Sequence, residues 1–199
     1  YFVIVDKKTF KFFGTAQDHK RVKENDKGPN TGGMGAYSPA KIIDKKIEEK
    51  IIDKIIKPTL IALKKKKIYY TGFLYVGLMI QDNEPYLIEF NVRMGDPECQ
   101  TILPLLKTDF GELINSCCNE NLSSIKIEWY DLKSICVVLC SNGYPNKYKK
   151  NVEIKNLKNL KHKKNQYIFH AGTTLIGDKI FSSGGRVLNI VSISDTFKQ

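Results

Sequence analysis

Residues 87–93 read LIEFNVR, and this stretch is the strongest indication of the fold. Successive side chains of a β-strand point to opposite faces of the sheet, so Glu89, Asn91 and Arg93 share one face of the predicted strand. The residues that alternate with them are apolar and are expected to pack on the other face: Ile88, Phe90 and Val92. A carboxylate, an amide and a guanidinium on one face form an unusual set for burial. The stretch therefore predicts a strand with one packed and one polar face.

The polar face of this strand has the donor chemistry of a metal and phosphate site. Mg²⁺ prefers oxygen ligands and is typically held by one or two protein groups together with phosphate oxygens and water. Glu89 and Asn91 supply such oxygens, and the guanidinium of Arg93 can pair with a phosphate as a planar fork. An ordinary solvated strand face would have the same residue pattern, so the spacing alone leaves both interpretations open.

The strand lies in a predicted antiparallel sheet. Residues 71–80 and 86–90 are apolar runs joined by a short polar turn at 81–85, so we expect them to pair antiparallel. Residues 1–13 have the alternation and the Lys-Lys turn of a hairpin. Residues 14–39 are polar and rich in glycine, which predicts a long irregular segment that is either functional or disordered.

Helices are predicted around these strands. An isoleucine at every fourth position, with Asp44 as a candidate N-cap, predicts a helix that Pro58 is expected to kink or break. The isoleucines are Ile43, Ile47, Ile51 and Ile55. Residues 101–106 and 110–118 also have helical patterns, with Asp109 as a candidate cap.

The second half of the chain has the pattern of a separate β-rich region. Residues 119–129 are polar and predict a boundary, and residues 134–140 (SICVVLC) predict a buried strand. Residues 147–165 are rich in Lys and Asn and predict an exposed connection. Further short strands are expected at 167–171, 179–181 and 186–193.

Two segments combine glycine with charge. Residues 17–21 read QDHKR and residues 28–35 read GPNTGGMG. Glycines let backbone N–H groups approach a phosphate or carboxylate closely, and Lys20 adds positive charge. The spacing is not that of a P-loop or a dinucleotide-binding fingerprint, so a flexible loop is an equally good interpretation. We expect Gly33→Val to reduce turnover far more than stability, since exposed loop substitutions usually cost within about 0.5 kcal/mol.

Smaller groups of polar residues follow. The turn at 94–98 (MGDPE) carries Asp96, which can position a substrate amine or serve as an ordinary loop acid. A glycine pair precedes Arg186, and this turn is either a simple hairpin turn or a phosphate-contacting turn with Arg186 as the fork. His170 ends an apolar run, which favours a structural role.

The composition is that of an ordinary globular protein. The 199 residues are 42% hydrophobic and 27% charged, and the formal net charge is +11. The densest basic run, 64–67, continues a helical pattern, and Arg is scarce, which disfavours base readout by a nucleic-acid-binding protein. The apolar stretches are too short to span a bilayer. The cysteines are odd in number and lack zinc-site spacing, so we expect buried thiols in a reducing compartment.

One motif is specific enough to indicate a family. The string GPNTGGMGAYSP at 28–39, preceded by QDHKR, resembles the glycinamide ribonucleotide synthetase family of ATP-grasp ligases. Further strings of that family occur in the same order: GFLYVGLM at 72–79, IEFNVRMGDPE at 88–98, NGYP at 142–145, FHAGT at 169–173 and GGRVL at 184–188. The resemblance covers nearly the whole chain. The chain has no initiator Met and lacks the N-terminal regions of that family, so we expect a C-terminal fragment.

The resemblance implies an α+β fold. Residues 1–130 would be the C-terminal part of an ATP-grasp domain, an antiparallel sheet with helices, and residues 131–199 a small β-rich C-terminal domain that is incomplete at its end. The implied activity is ATP-dependent ligation of glycine to 5-phosphoribosylamine through an acyl phosphate, in de novo purine biosynthesis. The adenine pocket of that family lies largely outside this chain, so the isolated fragment is expected to be inactive. The implied cofactor is Mg²⁺ or Mn²⁺, with ATP as co-substrate.

The resemblance also assigns roles to residues. Glu89 and Asn91 would hold the metal ion against the ATP phosphates, and Arg93 would stabilise the transferring phosphoryl group, with Lys20 as the second candidate catalytic residue. The substrate side would be lined by Asp18, His19, Asn30, Thr31, Gly32, Gly33, Gly35, Asp96 and Arg186. Many ATP-grasp relatives carry a further acidic ligand on the preceding strand, and this chain departs from them with Gly77 at that position.

Three alternatives remain open. Another ATP-grasp carboxylate–amine ligase or carboxylase can use the same Glu-x-Asn-x-Arg run. A basic nucleic-acid-binding module would explain the net charge, and its binding would weaken steeply with salt. An inactive remnant that serves as a scaffold would have no need of the polar strand. For the ligase we expect small-molecule partners (glycine, 5-phosphoribosylamine and ATP), other purine-pathway domains fused or associated, no nucleic acid, no membrane and a cytoplasmic location.

Overall fold

The computed structural model describes residues 1–157 and 164–198. Their strands, in chain order, are β1 (Phe2–Val5), β2 (Phe10–Gly14), β3 (Gln17–Asp18), β4 (Arg21–Lys23), β5 (Lys27–Asn30), β6 (Gly35–Ser38), β7 (Gly72–Gln81), β8 (Glu84–Asn91), β9 (Lys133–Cys140), β10 (Gln166–His170), β11 (Thr173–Ile176), β12 (Lys179–Ser182) and β13 (Arg186–Ser194). The α-helices are α1 (Lys45–Ile51), α2 (Lys57–Lys65), α3 (Glu98–Ile102) and α4 (Phe110–Cys118). A π-helical segment, Ile52–Ile56, joins α1 to α2, and 3₁₀ turns span Leu103–Leu105 and Leu122–Ser124. Within this described part, no helix combines the length and the apolar character needed to cross a membrane.

The elements belong to two compact units. Unit 1 combines Tyr1–Ala16, Pro39–Gly95 and Leu106–Tyr130, and unit 2 combines Gln17–Ser38, Asp96–Leu105 and Asp131–Gln199. Each unit is therefore assembled from segments that lie far apart in the sequence.

The sheet of unit 1 is antiparallel, with the strand order β2-β1-β7-β8. All of β1 is buried, because both faces of the sheet are covered there. On one face Val3 packs with the isoleucines of α1 and of the π-helical segment. On the other face Phe2 stacks on Tyr75 with ring centroids 4.4 Å apart, and Phe73 stacks on Phe110 of α4 at 6.1 Å. This two-sided burial explains why β1 is apolar without alternation.

The two predicted hairpins of unit 1 are confirmed. β1 pairs antiparallel with β2, and β7 pairs antiparallel with β8. Asp82 and Asn83 connect β7 to β8 with φ of 52° and 60°. Positive φ at both central residues is typical of a type I′ turn, which Asn and Asp tolerate better than most residues.

The isoleucine helix continues beyond the proline. The Asp44 carboxylate accepts a hydrogen bond from the Ile47 amide at 2.8 Å, which confirms Asp44 as the N-cap. The chain then passes through the π-helical segment and continues as α2 to Lys65, so Pro58 does not break the helix as expected. A proline inside a regular helix removes one hydrogen bond and collides with a carbonyl. Pro58 instead lies in the first turn of α2, directly after the π-helical turn, where a missing amide hydrogen is tolerated.

Unit 2 contains a five-stranded sheet with the order β10-β13-β9-β6-β3, and the pairs β4-β5 and β11-β12 form two-stranded ribbons. The prediction that residues 14–39 are irregular is wrong, because β3, β4, β5 and β6 lie within them. β6 pairs with β9, where Ser38 is opposite Ser134. A partner so distant in sequence leaves no local pattern, and the glycines and prolines of this stretch have low intrinsic strand preference.

Most other predictions for the second half are confirmed. β9, β12 and β13 cover the strands predicted at 134–140, 179–181 and 186–193, and β10 covers all but the last residue of the strand predicted at 167–171. α4 coincides with the predicted helix, whose cap Asp109 accepts a hydrogen bond from the Glu112 amide at 2.8 Å. α3 begins at Glu98, earlier than predicted, and β11 was not predicted because it is short and exposed. Of the connection at 147–165, residues 158–163 lie outside the described residues.

Candidate active site

β8 carries the first group of candidate residues at the edge of the unit 1 sheet. Glu89 lies opposite Gly77, and Asn91 lies opposite Tyr75. The neighbouring Phe90 packs against the core beneath the helices, so Glu89 and Asn91 lie on the face turned away from α1 and α2. Asn91 Nδ2 donates a hydrogen bond to Glu89 Oε1 at 3.0 Å. The prediction that Glu89 and Asn91 share one face is confirmed.

The apolar residues of this strand do not form one packed face. Phe90 is packed, but Ile88 is 62% exposed and Val92 is 72% exposed. The prediction is therefore wrong for Ile88 and Val92. Ile88 lies at a register shift and has no Cα partner on β7, which is the geometry of a β-bulge. β8 ends at Asn91, so Val92 lies outside the sheet.

Arg93 lies two residues beyond the end of β8. Strand alternation therefore does not determine its direction, and the expectation that it shares the face of Glu89 has no basis in the strand geometry. The side chain is exposed, and its Nη1 donates to the Met94 carbonyl at 2.9 Å. The assignment of Arg93 as a catalytic group stays a prediction.

The pair Glu89 and Asn91 fits a hard divalent cation. Carboxylate and amide oxygens suit Mg²⁺, which keeps several water or phosphate ligands. Among the residues that the structure describes, no group of three or more His, Cys, Asp or Glu is placed to hold a metal ion. A cation here would therefore take most of its ligands from phosphate and water. A Cβ at Gly77 would lie 3.2 Å from Glu89 Cγ, so glycine leaves the Glu89 side chain room to turn.

The glycine-rich loop of unit 2 is held by hydrogen bonds. Four consecutive amides, those of residues 31–34, already have acceptors within the protein. The acceptors are the Lys20 carbonyl (2.7 Å), the Tyr144 hydroxyl (3.0 Å), the Thr31 hydroxyl (3.0 Å) and the His19 carbonyl (2.8 Å). In this conformation the amides of residues 31–34 are therefore not available to a phosphate or a carboxylate. The assignment of loop residues to a substrate site stays a prediction, and it would depend on side chains and carbonyl groups.

The loop needs glycine for close packing. Gly33 is buried and has a φ of +118°, and a Cβ there would lie 2.6 Å from Pro97 Cδ. A Cβ at Gly35 would lie 2.6 Å from the Cys136 carbonyl oxygen. The expectation that Gly33→Val leaves stability nearly unchanged is wrong, because this part of the loop is not exposed. Valine would have neither a permitted backbone conformation nor space.

Arg186 joins the loop to the turn at Asp96. Its Nη1 donates to the Gly32 carbonyl at 2.8 Å and to the Asp96 carbonyl at 2.6 Å. Its Nη2 lies 3.3 Å from Asp96 Oδ2. The same carboxylate accepts a hydrogen bond from Gln100 Nε2 at 3.1 Å. The structure thus brings together three predicted substrate residues, and much of their hydrogen-bonding capacity is used to hold one another.

The segment before the loop leaves the side chain of Lys20 accessible. Lys20 is 47% exposed, and its Nζ lies 3.8 Å from Asp18 Oδ2. An exposed ion pair of this length contributes little stability. His19 hydrogen-bonds through its backbone to Gly35 at 2.9 Å, and the exposed Asn30 is the last residue of β5. Lys20 is therefore the cation in this segment that is freest to meet an anionic substrate.

Two cysteines of unit 2, Cys99 and Cys136, are not activated nucleophiles. Burial, together with the charges of Asp96 and Glu98, raises the pKa of Cys136 to about 12, although a hydrogen bond with Thr101 opposes the shift. Burial also raises the pKa of Cys99, and the same two carboxylates add to the effect. Both thiols stay protonated near neutral pH, whereas a catalytic cysteine needs its thiolate.

Two family models match the chain in order along its sequence. Residues 1–99 match the model described as phosphoribosylglycinamide synthetase, ATP-grasp (A) domain, and residues 134–199 match the model described as phosphoribosylglycinamide synthetase, C domain. The chain belongs to the phosphoribosylglycinamide synthetase family. The prediction of an α+β fold, with part of an ATP-grasp domain and a small β-rich domain, is confirmed.

Relatives in the phosphoribosylglycinamide synthetase family cover the whole chain. A phosphoribosylamine–glycine ligase of Caldanaerobacter subterraneus subsp. tengcongensis is 48% identical over 198 residues, which are 100% of this chain and 47% of the relative. A trifunctional purine biosynthetic protein adenosine-3 of Gallus gallus is 48% identical over 181 residues, 90% of this chain and 18% of the relative. The crystal structure of phosphoribosylamine–glycine ligase from Thermotoga maritima has a TM-score of 0.86 at 32% identity, covering 99% of this chain and 48% of that one. The chain spans about half the length of the ligases that it matches.

Tyr144 makes a contact in the site that the sequence did not indicate. Tyr144 belongs to NGYP, and its hydroxyl accepts the Gly32 amide. The only signal in the sequence is an aromatic residue before a proline, directly after a buried strand. His170, from FHAGT, was expected to be structural, and its Nδ1 hydrogen-bonds the Thr173 hydroxyl at 2.9 Å.

Proposed function

We propose that the chain acts as part of a longer ATP-dependent ligase that joins glycine to 5-phosphoribosylamine and yields glycinamide ribonucleotide, ADP and phosphate. The observation that carries the proposal is the match of both domains of one family, in order, over residues 1–99 and 134–199. The hydrogen-bonded pair Glu89 and Asn91 adds the donor chemistry that such a reaction needs. The names of relatives up to 48% identical to this chain give the substrates.

The reaction has two steps. A glycine carboxylate oxygen attacks the γ-phosphorus of ATP, the bond between that phosphorus and the bridging oxygen breaks, and ADP leaves. The amine nitrogen of 5-phosphoribosylamine then attacks the acyl carbon, phosphate leaves with the bonding electrons, and the nitrogen loses a proton. The protein has little covalent work to do, so its contribution is positioning and the stabilisation of charge.

In unit 1, Glu89 and Asn91 would hold Mg²⁺ or Mn²⁺ next to the ATP phosphates. When bound, such an ion neutralises charge on the phosphate oxygens. Glu89 contributes the full negative charge and Asn91 orients it through the 3.0 Å hydrogen bond. Arg93 is exposed and would stabilise the transferring phosphoryl group.

In unit 2, Lys20 would attract the anionic substrate, with Asp18 near it to set its position. Arg186 would fix the loop and the Asp96 turn, and its remaining N–H groups would face substrate. The other residues of this proposed substrate surface are His19, Asn30, Thr31, Gly32, Gly33 and Gly35.

We further propose the division of the chain into residues 1–130, from the ATP-grasp domain, and 131–199, from the C-terminal domain. The protein would act in de novo purine biosynthesis in the cytoplasm. The trifunctional Gallus gallus relative supports fusion with other purine-pathway domains.

The test is an assay of ADP, phosphate and glycinamide ribonucleotide with the full-length protein. We expect ADP release only when glycine, 5-phosphoribosylamine and Mg-ATP are all present. The amount of glycinamide ribonucleotide formed should equal the amount of ADP released. Activity with bicarbonate or with another acid and amine, and none with these substrates, would favour the other ATP-grasp enzymes. The 199-residue chain alone is the matched control and is expected to be inactive. Salt-dependent binding to DNA without any ligation would favour the basic module.

A further inference from the structure

Tyr144 makes contact with two separate parts of unit 2. Its hydroxyl accepts a hydrogen bond from the Gly32 amide at 3.0 Å. Its ring lies against Gly185, where a Cβ would be 2.3 Å from Tyr144 Cδ2 and 2.7 Å from Cε2. Only glycine fits beneath the ring, so the ring and the Gly185 backbone fix each other's position.

The backbone of Gly32 is held at both its amide and its carbonyl. Its amide donates to the Tyr144 hydroxyl, and its carbonyl accepts from Arg186 Nη1 at 2.8 Å. A Cβ at Gly32 would lie 3.0 Å from Arg186 Cζ, so the guanidinium also packs flat against this residue. Gly32 is exposed despite these contacts, and hydrogen bonds rather than burial keep it in place.

The turn that carries Arg186 is held next to Tyr144. The Ser141 hydroxyl donates to the Gly184 carbonyl at 2.8 Å, and the Ser141 amide donates to the Gly185 carbonyl at 2.7 Å. The Tyr144 amide in turn donates to the Ser141 carbonyl at 3.1 Å. The ring of Tyr144 therefore contacts Gly185, the residue before Arg186. The hydroxyl of Tyr144 contacts Gly32, the residue whose carbonyl accepts from Arg186.

We propose that Tyr144 is a positioning residue for the ligation reaction, which fixes Gly32 and Arg186 relative to each other in the substrate-binding conformation. The kinetic part of this inference rests on the proposed function. The hydroxyl does the positioning of Gly32, because it is the group that accepts the amide. The ring supplies packing that a phenylalanine would preserve.

The chain offers a matched pair of tyrosines for the test. The Tyr148 ring lies 6.1 Å from that of Tyr144 in an edge-on arrangement, and its Cε1 would be 3.1 Å from a Cβ at Gly185. Both tyrosines thus pack near the same glycine, but the Gly32 amide is bonded to Tyr144. Tyr144→Phe and Tyr148→Phe each remove one hydroxyl and keep the ring.

The experiment uses both variants in the full-length protein. For Tyr144→Phe we expect faster hydrogen exchange at the Gly32 amide and a KM for 5-phosphoribosylamine raised about five-fold, the equivalent of one lost hydrogen bond. We expect the kcat, the KM for ATP and the melting temperature to stay nearly unchanged. Tyr148→Phe is expected to match the wild type in every measurement.

Two results would overturn the inference. The first is a Tyr144→Phe protein with wild-type exchange at Gly32 and wild-type KM. The second is a lower melting temperature with an unchanged KM, which would make Tyr144 a structural residue only. A wild-type protein without ligase activity would instead refute the proposed function. In that case the exchange at Gly32 still decides whether Tyr144 fixes the loop.

Discussion

The edge strand β8 and the glycine-rich loop at residues 28–35 use their polar groups in opposite ways. On β8, Glu89 is exposed and its carboxylate accepts a hydrogen bond from Asn91 of the same strand. In the loop, the amides of residues 31–34 all have acceptors within unit 2, three of them outside the loop and one the Thr31 hydroxyl of the loop itself. The proposed metal ligands on the strand therefore make few contacts that hold the fold, while the loop uses its amides to hold its own conformation.

The difference shows what glycine and charge mean in each place. Glycine in the loop serves close packing, as at Gly33 against Pro97, and does not provide flexibility. Glycine opposite the strand, at Gly77, leaves room for the side chain of Glu89, which is the proposed metal ligand. We therefore expect a substitution at Glu89 on β8 to change activity and a substitution at Gly33 in the loop to change stability.

The largest effect is expected for Glu89→Gln. It removes a full negative charge that would face a divalent cation, so Mg²⁺-dependent turnover of the full-length protein should fall by about two orders of magnitude or more. Folding should stay nearly intact, because the side chain is exposed. The measurement is steady-state kinetics over a Mg²⁺ titration, with thermal melting of the same samples.

Glu84→Gln is the matched control on the same strand. Glu84 pairs with Lys54 at 2.8 Å and also with Lys50. It is the first residue of β8, away from the proposed metal ligands Glu89 and Asn91 near the other end of the strand. It should keep wild-type turnover. Near wild-type activity of Glu89→Gln at limiting Mg²⁺ would remove Glu89 from the metal site.

Gly33→Val tests the other side of the comparison. Strain from the positive φ and the collision with Pro97 should together lower the free energy of unfolding by about 3 kcal/mol or more. Gly177→Val is the control, because Gly177 also has positive φ (+59°) but no atom within 4 Å of a Cβ. It should cost about 1–2 kcal/mol. Equal losses for the two variants in urea unfolding would show that the loop is not packed as described.

Asp6 tests whether unit 1 also holds backbone amides with a carboxylate. Burial opposes its ionisation, but hydrogen bonds from the amides of Thr9, Lys8 and Leu122 lower its pKa below the usual value. A lowered pKa in the folded state stabilises the protein above the unfolded pKa, and this stability is lost as pH falls through the folded pKa. Asp6→Asn should therefore cost about 2 kcal/mol at pH 7.

The cost of Asp6→Asn should shrink once the pH falls below about 4, the usual pKa of an aspartate in the unfolded chain, and should continue to shrink as the pH falls through the lower pKa of the folded carboxylate. Urea unfolding at pH 7 and at pH 3 measures this change. Asp131→Asn is the control, since its side chain is fully exposed. A cost for Asp6→Asn that is the same at both pH values would show that the charge of Asp6 contributes nothing.

The smallest effect is expected for Ile88→Thr. Ile88 is 62% exposed in the bulge, so the free energy of unfolding should change by no more than about 0.5 kcal/mol. Phe90→Thr, two residues away and packed against the core, should cost at least about 1 kcal/mol. Similar losses of unfolding free energy at both positions would show that Ile88 and Phe90 are both packed, as the alternation predicts.

Local patterns predicted the local structure well. The cap at Asp44, the hairpin turn at 82–83 and the shared face of Glu89 and Asn91 each depend on residues close in sequence. The exposure of Ile88 could not be predicted, because alternation does not reveal which strand is an edge strand or where a bulge interrupts it. The bond from Gly32 to Tyr144 was equally hidden, since it joins segments that have no common pattern.

The pairing of β6 with β9 has a consequence for how the chain is made. Ser38 leaves the ribosome about 100 residues before its partner Ser134, which at 5–20 residues per second is a delay of about 5–20 s. Throughout this interval β6 has one edge without its partner, while two of the three segments of unit 1, Pro39–Gly95 and Leu106–Tyr130, are being synthesised. We therefore expect the β6–β9 contact to form late and to set the pace of folding on the ribosome, because long-range pairing is slow.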